Sequence, residues 1–196
     1  LMWDVGPRPV DVTISLDNIY AQNRKLIDAT SHRYYFVTSP ILAKITGVEK
    51  RYEVNAPLHP QHPEMGTRAL TVESHDGVAS VYLSKTDESL LRSEHAVRLM
   101  GLFNLRPLKF TEEEMSAEFL GESVDETLKA PILQWVPLRD NVTVKVVMPD
   151  ASIRNGLAES GLKAEPVGAV IQFVRFGFGR VDEISSEGIT VYFAHE

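Results

Sequence analysis

From about residue 33 onward, the sequence is a series of short apolar runs, each bounded by turn-forming residues. The runs are rich in Val, Ile, Leu, Phe and Tyr, the composition that pleated strands favour. Glycine and proline interrupt them repeatedly, which argues against long helices in this part of the chain. Many short strands at regular spacing are typical of barrels and sandwiches, so the pattern predicts a mainly β fold.

A helical period precedes this β region. The apolar stripe is formed by Leu16, Ile19, Tyr20, Asn23, Leu26 and Ile27, at three- and four-residue spacing. With Ser15 as a plausible cap, the spacing predicts a helix over 15–29 whose stripe needs a partner surface. Arg24 and Lys25 fall off the stripe, where cations near a helix C-terminus also suit the helix dipole.

The β region divides into thirteen predicted strands and a second helix. The strands are expected at 33–38, 41–45, 51–54, 69–73, 79–84, 96–104, 105–110, 116–120, 132–136, 142–148, 169–174, 178–182 and 189–193. Asp76-Gly77 predicts a tight hairpin turn. The short helix is expected at 151–161, because Gly161 stands where helices commonly end.

Length and composition set the class of protein. The 196 residues can hold one large domain or two small ones. Cys is absent, which excludes disulfides and Cys-based zinc sites and fits a reducing, cytoplasmic setting. Neither a membrane-spanning apolar run nor a secretory signal is present, so no membrane association is expected. Because Leu1 precedes the first Met, we expect a fragment of a longer protein.

The net charge of −7 argues at first against nucleic acid, which prefers a basic face. Seven acidic residues lie within 112–126 without any Lys or Arg among them. Without that segment, acidic and basic residues balance, so the rest of the chain can still present a local basic surface. The acidic segment is predicted to be a solvated turn and strand edge.

The sequence contains few candidates for catalysis or metal binding. A glycine-rich phosphate loop and a Gly-x-Ser-x-Gly nucleophile motif are both absent. His59, His62 and Glu64 could bind a cation, but they lie on a proline-broken segment that does not fix ligand geometry. A structural loop is therefore favoured here, and no metal site is predicted.

Candidates for RNA-base recognition are better. Arg33 stands beside Tyr34, Tyr35 and Phe36, which offers hydrogen bonding next to aromatic stacking. Gln172 carries an amide that both donates and accepts, which suits a base edge. Arg98 is a weaker candidate. The alternatives are a surface ion pair for Arg33 and a solvent-facing position for Gln172.

Several blocks of the sequence resemble one family in the right order. The blocks are Asn23-Arg-Lys-Leu-Ile-Asp28, Ser31-His-Arg-Tyr-Tyr-Phe-Val37, the loop from His59 to Arg68 with its Pro-Glu-Met-Gly, Val97-Arg-Leu-Met-Gly-Leu-Phe-Asn104, Ile132-Leu-Gln-Trp-Val136 and Ala169–Asp182. They closely resemble the anticodon-binding region of the archaeal and eukaryal type of glutamyl-tRNA synthetase, a class I enzyme, and of glutaminyl-tRNA synthetase.

The resemblance implies a fold. It implies two six-stranded β-barrels of the ribosomal L25-like kind, preceded by a short helical stem-contact segment. We assign 1–29 to the end of that segment, 30–78 plus 151–196 to a proximal barrel, and 79–150 to a distal barrel. The helical stripe would then face the catalytic body of the longer enzyme.

The resemblance also implies a function, that of holding the anticodon loop of tRNA(Glu), and possibly of tRNA(Gln). By position, Arg33 and Gln172 match family residues that contact anticodon bases, and Arg98 matches one less closely. Arg24 and Lys25 are added as tRNA-binding candidates. The family's His-x-Gly-His and Lys-Met-Ser-Lys-Ser signatures are absent. We therefore expect no catalytic residues and no cofactor here, with ATP and Mg²⁺ bound by the catalytic domain of the parent ligase, and a monomer.

Alternative functions stay open at this point. The chain could be the same region of a glutaminyl-tRNA synthetase, although Tyr34-Tyr-Phe-Val37 and Phe176-Gly-Phe-Gly-Arg180 look more like the archaeal glutamyl enzyme. It could be a stand-alone ribosomal-type RNA-binding barrel, although the net negative charge disfavours non-specific RNA binding. It could also be a protein-interaction module that docks through the acidic segment 112–126.

Overall fold

The computed structural model describes residues 14–196 and confirms a mainly β fold. Its α-helices are α1 (Leu16–Ile27) and α2 (Glu88–Ser93). Its strands are β1 (His32–Tyr34), β2 (Phe36–Thr38), β3 (Pro40–Thr46), β4 (Tyr52–Pro57), β5 (Thr67–Val72), β6 (Ser74–His75), β7 (Val78–Ser84), β8 (Val97–Leu99), β9 (Asn104–Phe110), β10 (Glu114–Gly121), β11 (Ile132–Leu133), β12 (Val136–Pro137), β13 (Asn141–Val147), β14 (Ile153–Glu159), β15 (Val170–Phe173), β16 (Gly177–Ile184) and β17 (Ile189–His195).

Short 3₁₀ turns at Asp28–Thr30, Pro63–Met65, Lys85–Asp87, Glu126–Leu128 and Ser160–Ala164 join some of these elements. Among residues 14–196, no helix has both the length and the apolar character needed to cross a bilayer.

One sheet nearly closes into a barrel. Its strand order is β1-β15-β16-β17-β13-β14-β2, and we call it the barrel sheet. Its two edge strands, β1 and β2, are separated in the chain by Tyr35 alone, so the chain passes from one edge to the other there. The Tyr35 N–H donates to the buried carboxylate of Glu159 at 2.6 Å instead of to a sheet neighbour. This break is why the predicted strand 33–38 is two strands.

The second sheet forms a half-barrel. Its order is β11-β8-β9-β10-β3-β7-β12, with β6 paired to β7, and β4 and β5 form a separate hairpin beside it. The sheets therefore hold seven and eight strands, where six each were expected. The extra members are mostly two- or three-residue strands, which short apolar runs do not reveal.

The strands also belong to the two sheets in a different way from the expected barrel boundaries at residues 78/79 and 150/151. β3 and β7 pair with each other in the half-barrel sheet, whereas β13 lies in the barrel sheet between β17 and β14. The barrel sheet thus takes 32–38 and 141–195 of the described strands, and the half-barrel sheet takes strands from within 40–137. Each sheet has its own apolar core.

The helix predicted at 151–161 is wrong. Residues Ile153–Glu159 form β14, which pairs antiparallel with β13 on one side and with β2 on the other. At Gly156, a Cβ atom would lie 2.2 Å from the Val37 carbonyl oxygen. Sheet hydrogen bonds on both edges, together with this close backbone approach, outweigh the weak local helical pattern. The short helix α2, with Leu91 as its buried residue, was not predicted.

Helix α1 confirms the expected helix, with Ser15 as its cap. It contacts the end of β17, where the Tyr20 ring stacks on His195 with 5.2 Å between centroids and Asn23 Nδ2 lies 2.9 Å from His195 Nε2. The other side of the stripe stays open, because Leu16 and Leu26 are 64% and 76% exposed. Residues 1–13 of the expected stem-contact segment lie outside the described residues.

Candidate nucleic-acid interface

Strand pairing brings the two principal candidates together. β1 runs parallel to β15, and the register places Arg33 directly beside Gln172. The flanking residues Tyr34, Ile171 and Phe173 are buried in the barrel core. Since side chains alternate across a strand, Arg33 and Gln172 both project from the opposite, outer face of the sheet.

An open groove of about 460 Å³ lies over this pair. It is lined by Arg24, Asp28, Arg33, Gln172, Arg175, Phe176, Gly177 and Glu196. Three of the lining residues are arginines and two, Asp28 and Glu196, are acidic, so the lining side chains leave one net positive charge on an otherwise acidic protein. The arginines suit the negative charge of an RNA backbone.

Two polar atoms of groove-lining residues have no hydrogen-bond partner among residues 14–196. Within the described part of the chain, Arg33 Nε and Gln172 Oε1 are buried and make no hydrogen bond. Buried polar atoms are normally paired, so such exceptions commonly mark a place that a ligand fills. Here the donor and the acceptor belong to two residues that the strand register pairs, and neither atom is satisfied by the described part of the protein.

The Arg33 guanidinium is fixed at one nitrogen. Its Nη2 donates to Asp28 Oδ1 at 2.9 Å and lies 3.4 Å from Nε2 of His59. The His59 side chain is fully buried, and burial together with the charge on Arg33 lowers the pKa of its imidazole. Arg33 is thus in an ion pair, as the alternative interpretation expected, yet it still lines the groove.

The expected aromatic stacking residues are not available. Tyr34, Tyr35 and Phe36 are only 3%, 5% and 1% exposed, because they belong to the apolar cores. That part of the prediction is wrong for a structural reason: residues on both faces of this segment are buried between two sheets. The aromatic side chain at the groove is Phe176, half-buried and packed edge-on against Phe36 and Phe193.

Arg175 is a groove residue that sequence reasoning missed. It occupies the turn between β15 and β16 with a left-handed backbone, φ 61°, and its Nη1 donates to the Ile132 carbonyl at 2.9 Å. The turn is closed by a hydrogen bond from the Phe176 N–H to the Phe173 carbonyl. A basic residue three positions after Gln172, between the strands predicted at 169–174 and 178–182, was the available signal.

The remaining candidates differ in whether they line the groove. Arg24 lines the groove, and its Nη2 donates to the main-chain carbonyl of Glu196. Lys25 is exposed on α1 but does not line the groove.

Arg98 is not a groove residue either. Its Nη1 donates to Asn104 Oδ1 and to the Glu122 carbonyl, both at 3.0 Å, which ties β8 to the loop after β10. The structure therefore brings Arg24, Arg33 and Gln172 together and leaves Lys25 and Arg98 apart.

The histidine loop makes internal contacts. His62 Nδ1 lies 2.9 Å from Glu64 Oε1, and His59 Nδ1 accepts the Gln61 N–H at 3.1 Å. No group of three metal-ligating side chains occurs among residues 14–196.

Arg33 also lines a second cavity of about 470 Å³, together with Tyr35, Asn55, Arg68, Met100 and Val174. This cavity lies where β4 and β5 approach the two sheets. Arg68 is already engaged, since its Nε donates to Glu159 Oε2 at 2.6 Å. The polar capacity of this cavity is therefore largely committed to the fold.

Comparison with known proteins identifies relatives of this chain. Residues 31–120 and 132–182 match two family models, each described as tRNA synthetases class I (E and Q), anti-codon binding domain. Together the matches cover most of the chain.

Full-length relatives show the same likeness. The chain is 35% identical over 202 residues to a glutamate–tRNA ligase of Caldivirga maquilingensis, covering 100% of this chain and 34% of that protein. It is 34% identical over 195 residues to that of Methanopyrus kandleri, covering 98% of this chain and 34% of the relative. For Pyrococcus furiosus the identity is 36% over 201 residues, with 100% and 34% covered. The chain spans about a third of the length of these curated relatives.

Proposed function

Because this chain belongs to the family of class I (E and Q) tRNA synthetase anticodon-binding domains, we propose that it binds the anticodon loop of tRNA(Glu) within a glutamate–tRNA ligase. The relatives described above are all glutamate–tRNA ligases, which favours glutamyl over glutaminyl function. A stand-alone ribosomal-type protein is disfavoured by the same likeness.

One observation carries the proposal at the level of chemistry. Arg33 and Gln172 lie in register, and within the described structure one carries an unpaired donor and the other an unpaired acceptor. Single-stranded RNA is read through exposed base edges. An edge that carries a carbonyl oxygen next to an N–H, as in uracil or guanine, complements this pair.

Phe176 and the groove arginines support the same function. A half-buried aromatic ring at the groove offers a stacking surface for a splayed base. Arg24 and Arg175 add charge for the adjacent phosphates. Lys25 and Arg98 remain proposed tRNA contacts of lower rank, because neither lines the groove.

The test is binding of tRNA(Glu) to the variants Arg33→Ala and Gln172→Ala. Each should weaken binding by about 1–3 kcal/mol, the scale of a lost specific base contact. Arg180→Ala is a matched control, because Arg180 is an exposed cation of β16 that pairs with Asp182 and does not line the groove. Normal binding by both groove variants would overturn the assignment.

The chemistry of aminoacylation is proposed to lie elsewhere in the longer ligase. The chain lacks the two signature motifs of the class I catalytic centre, so ATP and Mg²⁺ are assigned to the catalytic domain of the parent enzyme. ATP–pyrophosphate exchange by this chain alone should not exceed background. Clear activity would contradict the proposal.

Discrimination between tRNA(Glu) and tRNA(Gln) is a separate question with its own test. Their anticodons differ at the third base, so binding of both tRNAs to this chain measures whether that base is read. Equal affinities would indicate a tolerant enzyme. We further propose a cytoplasmic monomer, to be tested by sedimentation and by cell fractionation.

The open side of α1 is assigned to the same parent enzyme. Leu16, Ile19 and Leu26 are 64%, 39% and 76% exposed. A group of exposed apolar side chains on one helix commonly marks a surface that another part of a protein covers. We propose that this side packs against the part of the ligase that precedes it, as a stem-contact helix would.

A further inference from the structure

The Arg33 side chain lines the groove while Asp28 holds it by a hydrogen bond. Its Nη2 donates to Asp28 Oδ1 at 2.9 Å, and the two side chains are 25% and 33% exposed. Asp28 is the C-terminal cap of α1, and its backbone N–H bonds to the Arg24 carbonyl. The carboxylate that holds Arg33 is therefore part of the helix end and not of a free loop.

His59 restricts Arg33 from the other side. Its Nε2 lies 3.4 Å from Arg33 Nη2 and 4.0 Å from Asp28 Oδ1. Its Nδ1 accepts the Gln61 N–H at 3.1 Å, so a neutral ring carries its proton on Nε2. A protonated Nε2 cannot accept a hydrogen bond from Arg33. Asp28 is thus the acceptor for this corner of the guanidinium.

The contact at Nη2 orients the whole Arg33 guanidinium. Because a guanidinium is planar and rigid, fixing Nη2 also fixes the direction in which Nε points. Nε is the atom that is buried and unpaired beside Gln172 within the described structure. Orienting a side chain before the ligand arrives reduces the ordering cost of binding.

Resting on the proposed anticodon site, we propose that Asp28 is a positioning residue that orients the Arg33 guanidinium toward Gln172 for reading a base. Asp28 contacts no base itself. Its negative charge near an RNA backbone is by itself repulsive, so its benefit should appear in base discrimination and not in general affinity.

The experiment measures discrimination by the full chain. The probes are a synthetic anticodon stem-loop of tRNA(Glu) and three versions, each with one anticodon base replaced. For each substituted loop, the ratio of the affinity for the correct loop to the affinity for that loop is measured. For the loop whose replaced base is the one that Arg33 reads, Asp28→Ala should lower this ratio by about tenfold, the scale of one misplaced base contact. Asp28→Asn retains an amide oxygen for Nη2 and should keep most of the ratio.

A matched control and a double variant separate the explanations. Asp182→Ala breaks the Arg180–Asp182 pair, which has the same 2.9 Å distance but lies outside the groove, and it should leave the ratio unchanged. In an Arg33→Ala background, Asp28→Ala should have no further effect on the ratio, because the two residues act as one unit.

Four outcomes would overturn the inference. If Asp28→Ala and Asp28→Asn tighten binding to every probe equally, Asp28 is only a repulsive charge. If Asp28→Ala weakens every probe equally and lowers the melting temperature, its role is only structural. If Arg33→Ala itself leaves the ratio unchanged, the proposed anticodon site fails and the inference fails with it; a normal Arg33 effect with an inert Asp28 rejects the inference alone.

Discussion

At the scale of single residues, the ion pair of Arg68 and Glu159 joins separate parts of the fold. The side chains are only 8% and 1% exposed, and Arg68 Nε lies 2.6 Å from Glu159 Oε2. The other carboxylate oxygen accepts the Tyr35 N–H at 2.6 Å. Glu159 therefore links the β4–β5 hairpin to the break at Tyr35, where the chain passes from β1 to β2.

Removing one member of this pair should be strongly destabilising. Glu159→Ala leaves the Arg68 guanidinium buried and without its carboxylate, which we expect to lower the free energy of unfolding by about 3–5 kcal/mol. Chemical denaturation checks this value. Replacing both residues with apolar side chains of similar size should recover much of the loss, and equal losses for the single and double variants would contradict the argument.

His59 should make stability depend on pH. Burial, Arg33 and His62 lower the pKa of its imidazole from the ordinary value of 6.5. The unfolded chain then binds a proton more readily than the folded chain, so this contribution to stability is present above pH 6.5 and is lost as pH falls below it. His59→Asn should flatten that acid-side decline in denaturation curves. An unchanged decline would assign it to other groups.

At the scale of elements, β14 shows why the local sequence pattern predicted a helix where the structure has a strand. Ala151–Gly161 contains residues that tolerate helix, but β13 and β2 offer hydrogen-bonding edges on both sides of Ile153–Glu159. Gly156 allows the chain to approach β2 closely, with Val37 and Phe36 beside the position of a missing Cβ. Pairing partners distant in sequence thus decide the element type.

Gly156→Ala should therefore destabilise the barrel sheet. The added methyl group would lie 2.2 Å from the Val37 carbonyl oxygen and 2.7 Å from the Phe36 ring, and overpacking of this kind typically costs about 1–3 kcal/mol or more. Thermal unfolding measures the effect. Gly161→Ala is the matched control, because its Cβ would meet only Tyr34 at an ordinary 3.7 Å. Similar melting temperatures for both variants would refute the close-approach argument.

At the scale of the whole molecule, charge is distributed unevenly. The acidic segment 112–126 is partly neutralised by cations of β3, β9 and the β3–β4 connection, through Lys44–Glu114, Arg106–Glu118 and Lys50–Glu122 pairs. The groove at Arg33 carries Arg24 and Arg175 as well. An acidic protein thereby gathers three arginines in one groove, beside Asp28 and Glu196, without a strongly attractive overall field. This favours contact-dependent over non-specific RNA binding.

The dependence of binding on salt should accordingly be shallow. With two groove arginines, Arg24 and Arg175, assigned to phosphates, the slope of log K against log salt should be about −1.4 for a single-stranded loop. Changing Glu112, Glu113 and Glu126 to Gln should leave anticodon discrimination unaltered, because these acids do not line the groove. Loss of RNA binding by this variant would instead indicate that the acidic segment takes a direct part in RNA binding.

What the sequence determined by itself was the set of local preferences. Its periods predicted α1 and most strands to within a few residues, and its residue chemistry singled out Arg33 and Gln172. Tertiary structure decided what depends on distant parts of the chain: the parallel register of β1 and β15, the burial of Tyr34 to Phe36, the strand at β14 and the place of Arg175. The reason is physical, since turns and periods act over a few residues, whereas sheet hydrogen bonds and buried contacts join segments more than a hundred residues apart, such as β1 and β15.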